Sequence, residues 1–273
     1  MTIRFHGVRG STPVPAADMM KYGGNTACVE VRSAKGTILI LDAGTGIRGL
    51  GHSLIKEFKR KPIEAHVLLS HTHWDHIQGF PFFMPIFNKA NRFHIYGKSR
   101  YTKSLEEIMS GQMEHKYFPV SLNELGAHMD FTKVEDGTFT LGRDVRVTAM
   151  EHTHPGGAYG YRIEADGAVL AYSTDTEHPG KDLDERVIDL ARGADILIHD
   201  SQYDDEDIVT HAGWGHSSFR QAAAVAAKAG VKKLVLFHYD PLYTDAKVDS
   251  IVRKAKKLFR NTVPARENSS ITL

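Results

Sequence analysis

Apolar and polar positions along this chain fall into short blocks bounded by turn residues, the pattern of a mixed α and β protein. The runs Ala27 to Val31, Thr37 to Leu41 and His66 to Leu69 predict strands. A second strand-rich stretch covers Phe139 to Met150, Tyr159 to Ala165 and Ala168 to Tyr172, with Asp166-Gly167 as a hairpin turn. Lys98 to Leu125, the least regular segment, predicts a helical insertion over one edge. Helices and strands then alternate: a helix from Leu183 to Ala191, a buried strand from Ile196 to His199, and a helix capped by Ser217 that runs through Ala229 and ends at Gly230. Lys233 to Phe237 predicts another strand. Thr244 begins the last helix, where Val248, Ile251, Val252, Ala255, Leu258 and Phe259 share one face. Two strand-rich blocks, each with an apolar face to cover, predict two packed sheets with helices outside, a four-layer sandwich.

No repeat, low-complexity tract or linker divides the sequence, so residues 1–273 are expected to form one domain. A charge of +1, from 34 basic and 33 acidic residues, argues against a nucleic-acid binder held by bulk electrostatics, though not against a local basic groove. Cys28 is the sole cysteine, so no intrachain disulfide can form. That suits a reducing compartment, and no apolar run approaches membrane-spanning length; the expected location is cytoplasmic. The 16 histidines change the picture more, because imidazole is the commonest metal ligand.

The informative segment is Ser70-His71-Thr72-His73-Trp74-Asp75-His76, which follows the apolar strand residues Val67, Leu68 and Leu69. In an extended turn, positions i and i+2 project to one side, so His71 and His73 can grip one ion together. Asp75 and His76 follow where the chain turns into a helix, and can reach a second ion beside the first. Three imidazoles and a carboxylate suit zinc or manganese, with iron as a further candidate.

This segment resembles the signature His-x-His-x-Asp-His of the metallo-β-lactamase superfamily, whose fold is an αβ/βα sandwich, and the likeness extends over nearly the whole chain. Glu151-His152-Thr153-His154-Pro155 ahead of Gly160-Tyr161-Arg162 resembles the phosphodiesterase branches of that superfamily, in which His154 takes the place of the third ligand histidine and His152 is the nearby competitor. Tyr172-Ser173-Thr174-Asp175 and Leu236-Phe237-His238 each end a strand. By resemblance Asp175 bridges two metals and His238 is the last ligand. The resemblance therefore implies two divalent ions, one held by His71, His73, His154 and Asp175, the other by Asp75, His76, Asp175 and His238. Zinc β-lactamases of the best-known class carry a cysteine where Asp175 stands, so antibiotic hydrolysis is not implied. His216, in Gly215-His216-Ser217-Ser218, is similar to the His-Ser/Thr motif of tRNase Z relatives, which implies contact with a scissile phosphate. The implied catalytic residues are Asp75, orienting the attacking hydroxide, and His216, protonating the leaving group or stabilising its charge.

Long-form and bacterial tRNase Z enzymes insert a tRNA-grasping arm between the third histidine and the bridging aspartate. Here only 21 residues separate Asp175 from His154 (175 − 154), and a β-hairpin fills them. The short spacing is similar to that of the cyclic phosphodiesterase of the phosphonate pathway. The expected substrate is therefore a small phosphodiester, a cyclic nucleotide above others, with structured nucleic acid disfavoured and a homodimer as the assembly related proteins form. The alternatives are a tRNase Z-like endonuclease, a lactone or thioester hydrolase, and a non-catalytic ligand-sensing module. Asp42, His199 and Asp200 are expected to support ligands rather than bind metal.

Overall fold

In the computed structural model, which describes residues 1–99, 102–180 and 182–273, strand order follows from which faces the side chains must bury. Strands β1 (Thr2–Gly7), β2 (Cys28–Arg32), β3 (Ile38–Leu41), β4 (Glu64–Leu68), β5 (Arg92–Gly97) and β6 (His128–Lys133) lie side by side in one sheet. Strands β7 (Gly137–Leu141), β8 (Val145–His152), β9 (Ala158–Ala165), β10 (Ala168–Ser173), β11 (Ile196–Asp200), β12 (Lys233–Phe237) and β13 (Thr262–Pro264) form the second. The last strand, β14 (Ser270–Thr272), returns to pair with β1. Each sheet is antiparallel in one half and parallel in the other, the switch falling between β3 and β4 and between β10 and β11. Strands β3, β11 and β12, inside the sheets, are near-continuous apolar runs buried on both faces.

Period-two alternation divides the core. Leu39, Leu41 and Leu68 point between the sheets toward Val147, Tyr161, Leu170 and Tyr172. Ile38, Ile40, Ala65 and Val67 point outward, beneath helix α1 (Ile47–Phe58). That helix buries Ile47, Leu50, Gly51 and Leu54, an i, i+3, i+4, i+7 stripe. A single turn, α2 (Trp74–Ile77), and α3 (Leu105–Gly111) complete that side. The second sheet is covered by α4 (Glu185–Ala191), α6 (Phe219–Ala229) and α7 (Asp245–Leu258), with the one-turn α5 (Asp207–Thr210) at the rim. This is the expected αβ/βα sandwich. Among the described residues no helix is long and apolar enough to cross a membrane.

The hairpin turn is where it is expected: Asp166 and Gly167 have φ of 57° and 73°, and Ala165 pairs with Ala168 across them. One boundary differs. Ser218, not Ser217, caps α6, because Gln221 stands three residues after it and closes a capping box. Ser217 turns inward instead, donating from Oγ to the Thr176 carbonyl and from its N–H to Asp200. The irregular Lys98 to Leu125 segment contributes α3, whose Leu105 and Met109 pack with Phe93 and Ile95 on the parallel edge; its residues 100 and 101 lie outside the described residues.

Candidate metal centre

Five segments end at one rim of the sandwich, and each delivers polar side chains there. The loop after β4 carries His71 and His73, and α2 carries Asp75 and His76. His154 lies two residues beyond β8, Asp175 two beyond β10, and His238 immediately after β12. Strand carboxyl ends are where open sheets place ligand sites. Asp175, His238 and the nearby Asp42 have left-handed backbones, φ 50°, 64° and 61°. Such conformations in non-glycine residues cost about 1–3 kcal/mol each and gather at functional sites.

The structure brings all seven expected ligands together. Donor atoms of His71, His73 and His154 lie within 4.8 Å of one another, as do those of Asp75, His76, Asp175 and His238. In the second group, His76 Nε2 is 3.2 Å from Asp75 Oδ2 and 3.2 Å from Asp175 Oδ1. His238 Nε2 is 3.1 Å and 3.2 Å from the same two oxygens. A tetrahedral cation with bonds near 2.0 Å sets neighbouring ligands about 3.3 Å apart, so these spacings match the edges of such a shell. Asp175 also reaches the first group, its Oδ2 lying 3.8 Å from His71 Nε2. His71 Nε2 and His76 Nε2 are buried without a hydrogen-bond partner, which a cation would satisfy. The residues present therefore fit a pair of divalent ions. His152, the competitor of His154, belongs to neither group, and its ring packs beside Gly160.

Electrostatics agree with a cage awaiting positive charge. Burial alone would raise the carboxyls of Asp75 and Asp175, yet the imidazoles of His76 and His238 hold both well below the usual carboxylate range. Burial, with His76 beside it, pushes the His71 imidazole well below its ordinary value, so it is neutral and able to bind a metal.

The supporting hydrogen bonds fix which nitrogen faces inward. Buried Asp42 accepts the Ser70 N–H at 2.7 Å and the Tyr172 hydroxyl at 2.7 Å, and lies 2.9 Å from His76 Nδ1. With Nδ1 committed to Asp42, Nε2 is the nitrogen of His76 that faces the cluster, and giving up its proton would let it bind an ion. His154 Nδ1 donates to the Gly215 carbonyl at 2.9 Å, which likewise frees its Nε2, 3.1 Å from His73 Nδ1. Asp42 thus has the supporting place expected of it. The sequence reading missed Ser70, Tyr172 and Ser11, whose N–H donates to Asp75 Oδ2 at 2.8 Å. It also missed Glu177, whose carboxylate accepts the Gly213 and Gly215 N–H groups at 2.7 and 2.8 Å.

His216 sits beside the cluster, its ring stacked on His238 at 5.2 Å. Its Nδ1 is 2.8 Å from Asp200 Oδ2, while Asp200 Oδ1 accepts the N–H groups of Gln202 and Ser217. Burial disfavours the imidazolium, but Asp200 outweighs it and, with Asp175 and Asp75 near, raises His216 to about 9. Asp200, His216 and His238 also form a third close grouping. The hydrogen bond to Asp200 occupies Nδ1 of His216, so the pair reads as a proton-holding dyad. His199 turns away and bonds the Asp200 carbonyl.

Comparison with known proteins follows the same lines. The family model of the β-lactamase superfamily domain matches residues 37–239. The curated Ribonuclease Z of Thermoplasma acidophilum is 25% identical, the alignment covering 97% of this chain and 94% of that protein. Among solved structures, the metallo-β-lactamase fold protein YhfI from Bacillus subtilis superposes with a TM-score of 0.73 at 21% identity, covering 99% and 98% of the two chains. The short form of human tRNase Z gives 0.68 at 18% identity, covering 100% and 99%. The expectation that structured nucleic acid is disfavoured is overturned by the ribonuclease relatives, aligned almost end to end, which favour the tRNase Z-like alternative over a cyclic nucleotide. The hairpin of β9 and β10 excludes an insertion at one place only, and an overall charge of +1 does not describe any single face. The Thermoplasma alignment runs over 315 positions against 273 residues here, so that relative carries at least 42 residues without a counterpart in this chain.

Proposed function

This chain belongs to the β-lactamase superfamily and is a metal-dependent hydrolase of phosphodiester bonds; from that premise we propose that it is an RNA endonuclease of the ribonuclease Z kind. The observation that carries the proposal is the pairing of a seven-ligand cage with ribonuclease relatives matched along nearly the whole chain. His71, His73, His154 and Asp175 would hold one ion, and Asp75, His76, Asp175 and His238 the other. Two such ions would supply Lewis acidity toward the phosphate and lower the pKa of a water so that it can attack near neutral pH.

The remaining chemistry belongs to side chains of this chain. Asp75, fixed by the Ser11 N–H, orients the attacking water for in-line displacement. His216 donates one N–H to Asp200 and carries a second proton on Nε2, which it delivers to the leaving oxygen as the phosphorus–oxygen bond breaks. Asp200 holds that ring in position and keeps it protonated. Tyr172, Ser70 and Asp42 keep His76 from rotating.

The test is cleavage of a precursor tRNA bearing a 3′ trailer, assayed beside cyclic mononucleotides. Site-specific cleavage of the RNA is expected. Hydrolysis of cyclic nucleotides with the RNA left intact would overturn the proposal.

A further inference from the structure

The chain contains two tryptophans, and both stand in solvent beside the metal cage, Trp74 at 66% and Trp214 at 61% exposure. Large aromatic side chains usually bury, so two such positions in one rim call for a physical reason. Trp74 lies between His73 and Asp75 in the metal-binding segment. Trp214 lies two residues before His216. The imidazole of His154 lies between contacts to His73 at 5.0 Å and His216 at 5.6 Å, centroid to centroid, and a tryptophan stands one residue after His73 and two before His216 in sequence.

Trp214 is held there by its own architecture. Glycines with φ of 85° and 89° flank it, and Glu177 clamps both of their N–H groups. The following carbonyl, of Gly215, accepts from His154, and a Cβ on Gly215 would come within 2.0 Å of that ring. On its other side the indole meets the edge of His211 at 4.8 Å, and His211 stacks on Tyr203, which in turn meets His216. A loop clamped by Glu177 on both sides of Trp214, and tied to the cage through Gly215 and His154, thus holds the indole outward.

We infer that Trp74 and Trp214 are stacking platforms for the nucleobases on either side of the scissile phosphate, which rests on the ribonuclease reading of the same site. Every base has a π-face, so indoles beside the cage would grip single-stranded RNA with little regard to sequence. This grip acts next to the reacting phosphate and needs no arm elsewhere in the chain.

Trp74→Phe and Trp214→Phe each leave one indole, whose fluorescence reports its own surroundings. Titrating each metal-loaded variant with a short single-stranded RNA should quench its emission, and the same RNA with abasic sites at the two flanking nucleotides should not. Trp74→Ala and Trp214→Ala should each weaken RNA binding about 10-fold, with phenylalanine restoring most of it. Removing the bases should weaken binding to the alanine variants far less than to the native chain. Metal content equal to the native chain's establishes that the variants are folded. Quenching by RNA that is bound but not cut would retire the ribonuclease reading and leave the stacking assignment standing. RNA that binds or is cleaved with neither indole responding would overturn the assignment, as would emission that follows protein dilution, the signature of cover by a second copy.

Discussion

His216 Nδ1 lies 2.8 Å from Asp200 Oδ2, in a pair whose two side chains are both buried. In the metal-free chain the contact raises His216 to about 9, with the doubly protonated ring present below that value and lost as pH rises past it. Asp200→Asn removes the negative charge that favours the imidazolium, and the ring then loses its second proton at lower pH. The alkaline limb of kcat against pH, followed on a chromogenic phosphodiester, should move downward in the variant. A limb that does not move would mean that another group titrates there.

His216→Ala should retain the metal content of the native chain and lose about 10²–10⁴-fold in kcat, the usual contribution of a positioned acid. Metal analysis and turnover on one preparation separate this outcome from a damaged cage.

Asp42 touches no expected metal position, yet it fixes His76. Asp42→Asn should weaken metal binding by about 10–100-fold, the range for losing a partner behind a metal-bound histidine. Calorimetric titration of the metal-free chain with zinc checks it.

Two glycines of one loop give a matched comparison. Gly213→Ala and Gly215→Ala both place a side chain at positive φ, which costs on the order of 1 kcal/mol. Only at Gly215 would the new Cβ strike His154, whereas Gly213 has nothing within 4 Å of that position. Gly215→Ala should lose metal and activity, and Gly213→Ala should lose little of either. Equal losses would show that backbone strain, not displacement of His154, is the cause.

Much of this site was legible because ligands close in sequence carry their geometry with them. The run from His71 to His76 fixes three imidazoles and a carboxylate on one turn, and Asp175 and His238 stand where apolar strands stop. Asp42 as a supporting group, the Asp166-Gly167 turn and the sandwich were readable for the same reason. What stayed hidden depends on long-range convergence. Tyr172 reads as an ordinary strand residue until its hydroxyl meets Asp42, 130 positions away. Glu177 reads as a loop acid until it ties down Gly213 and Gly215. Strands β1 and β5 carry visible alternation, Ile3 with Phe5 and Phe93 with Ile95, but histidine and arginine between the apolar residues weaken it. Structured nucleic acid was disfavoured by extending the absence of one inserted arm to the whole surface, which the ribonuclease relatives contradict.

The most direct test of the cage is elemental analysis of the metal-loaded chain beside Asp175→Ala, the residue shared by both ligand groups. Two divalent ions per native chain are expected, with the variant losing metal from both positions and its phosphodiesterase activity with it. A native chain that binds no divalent ion, or a variant that keeps both ions, would contradict a paired centre built on Asp175.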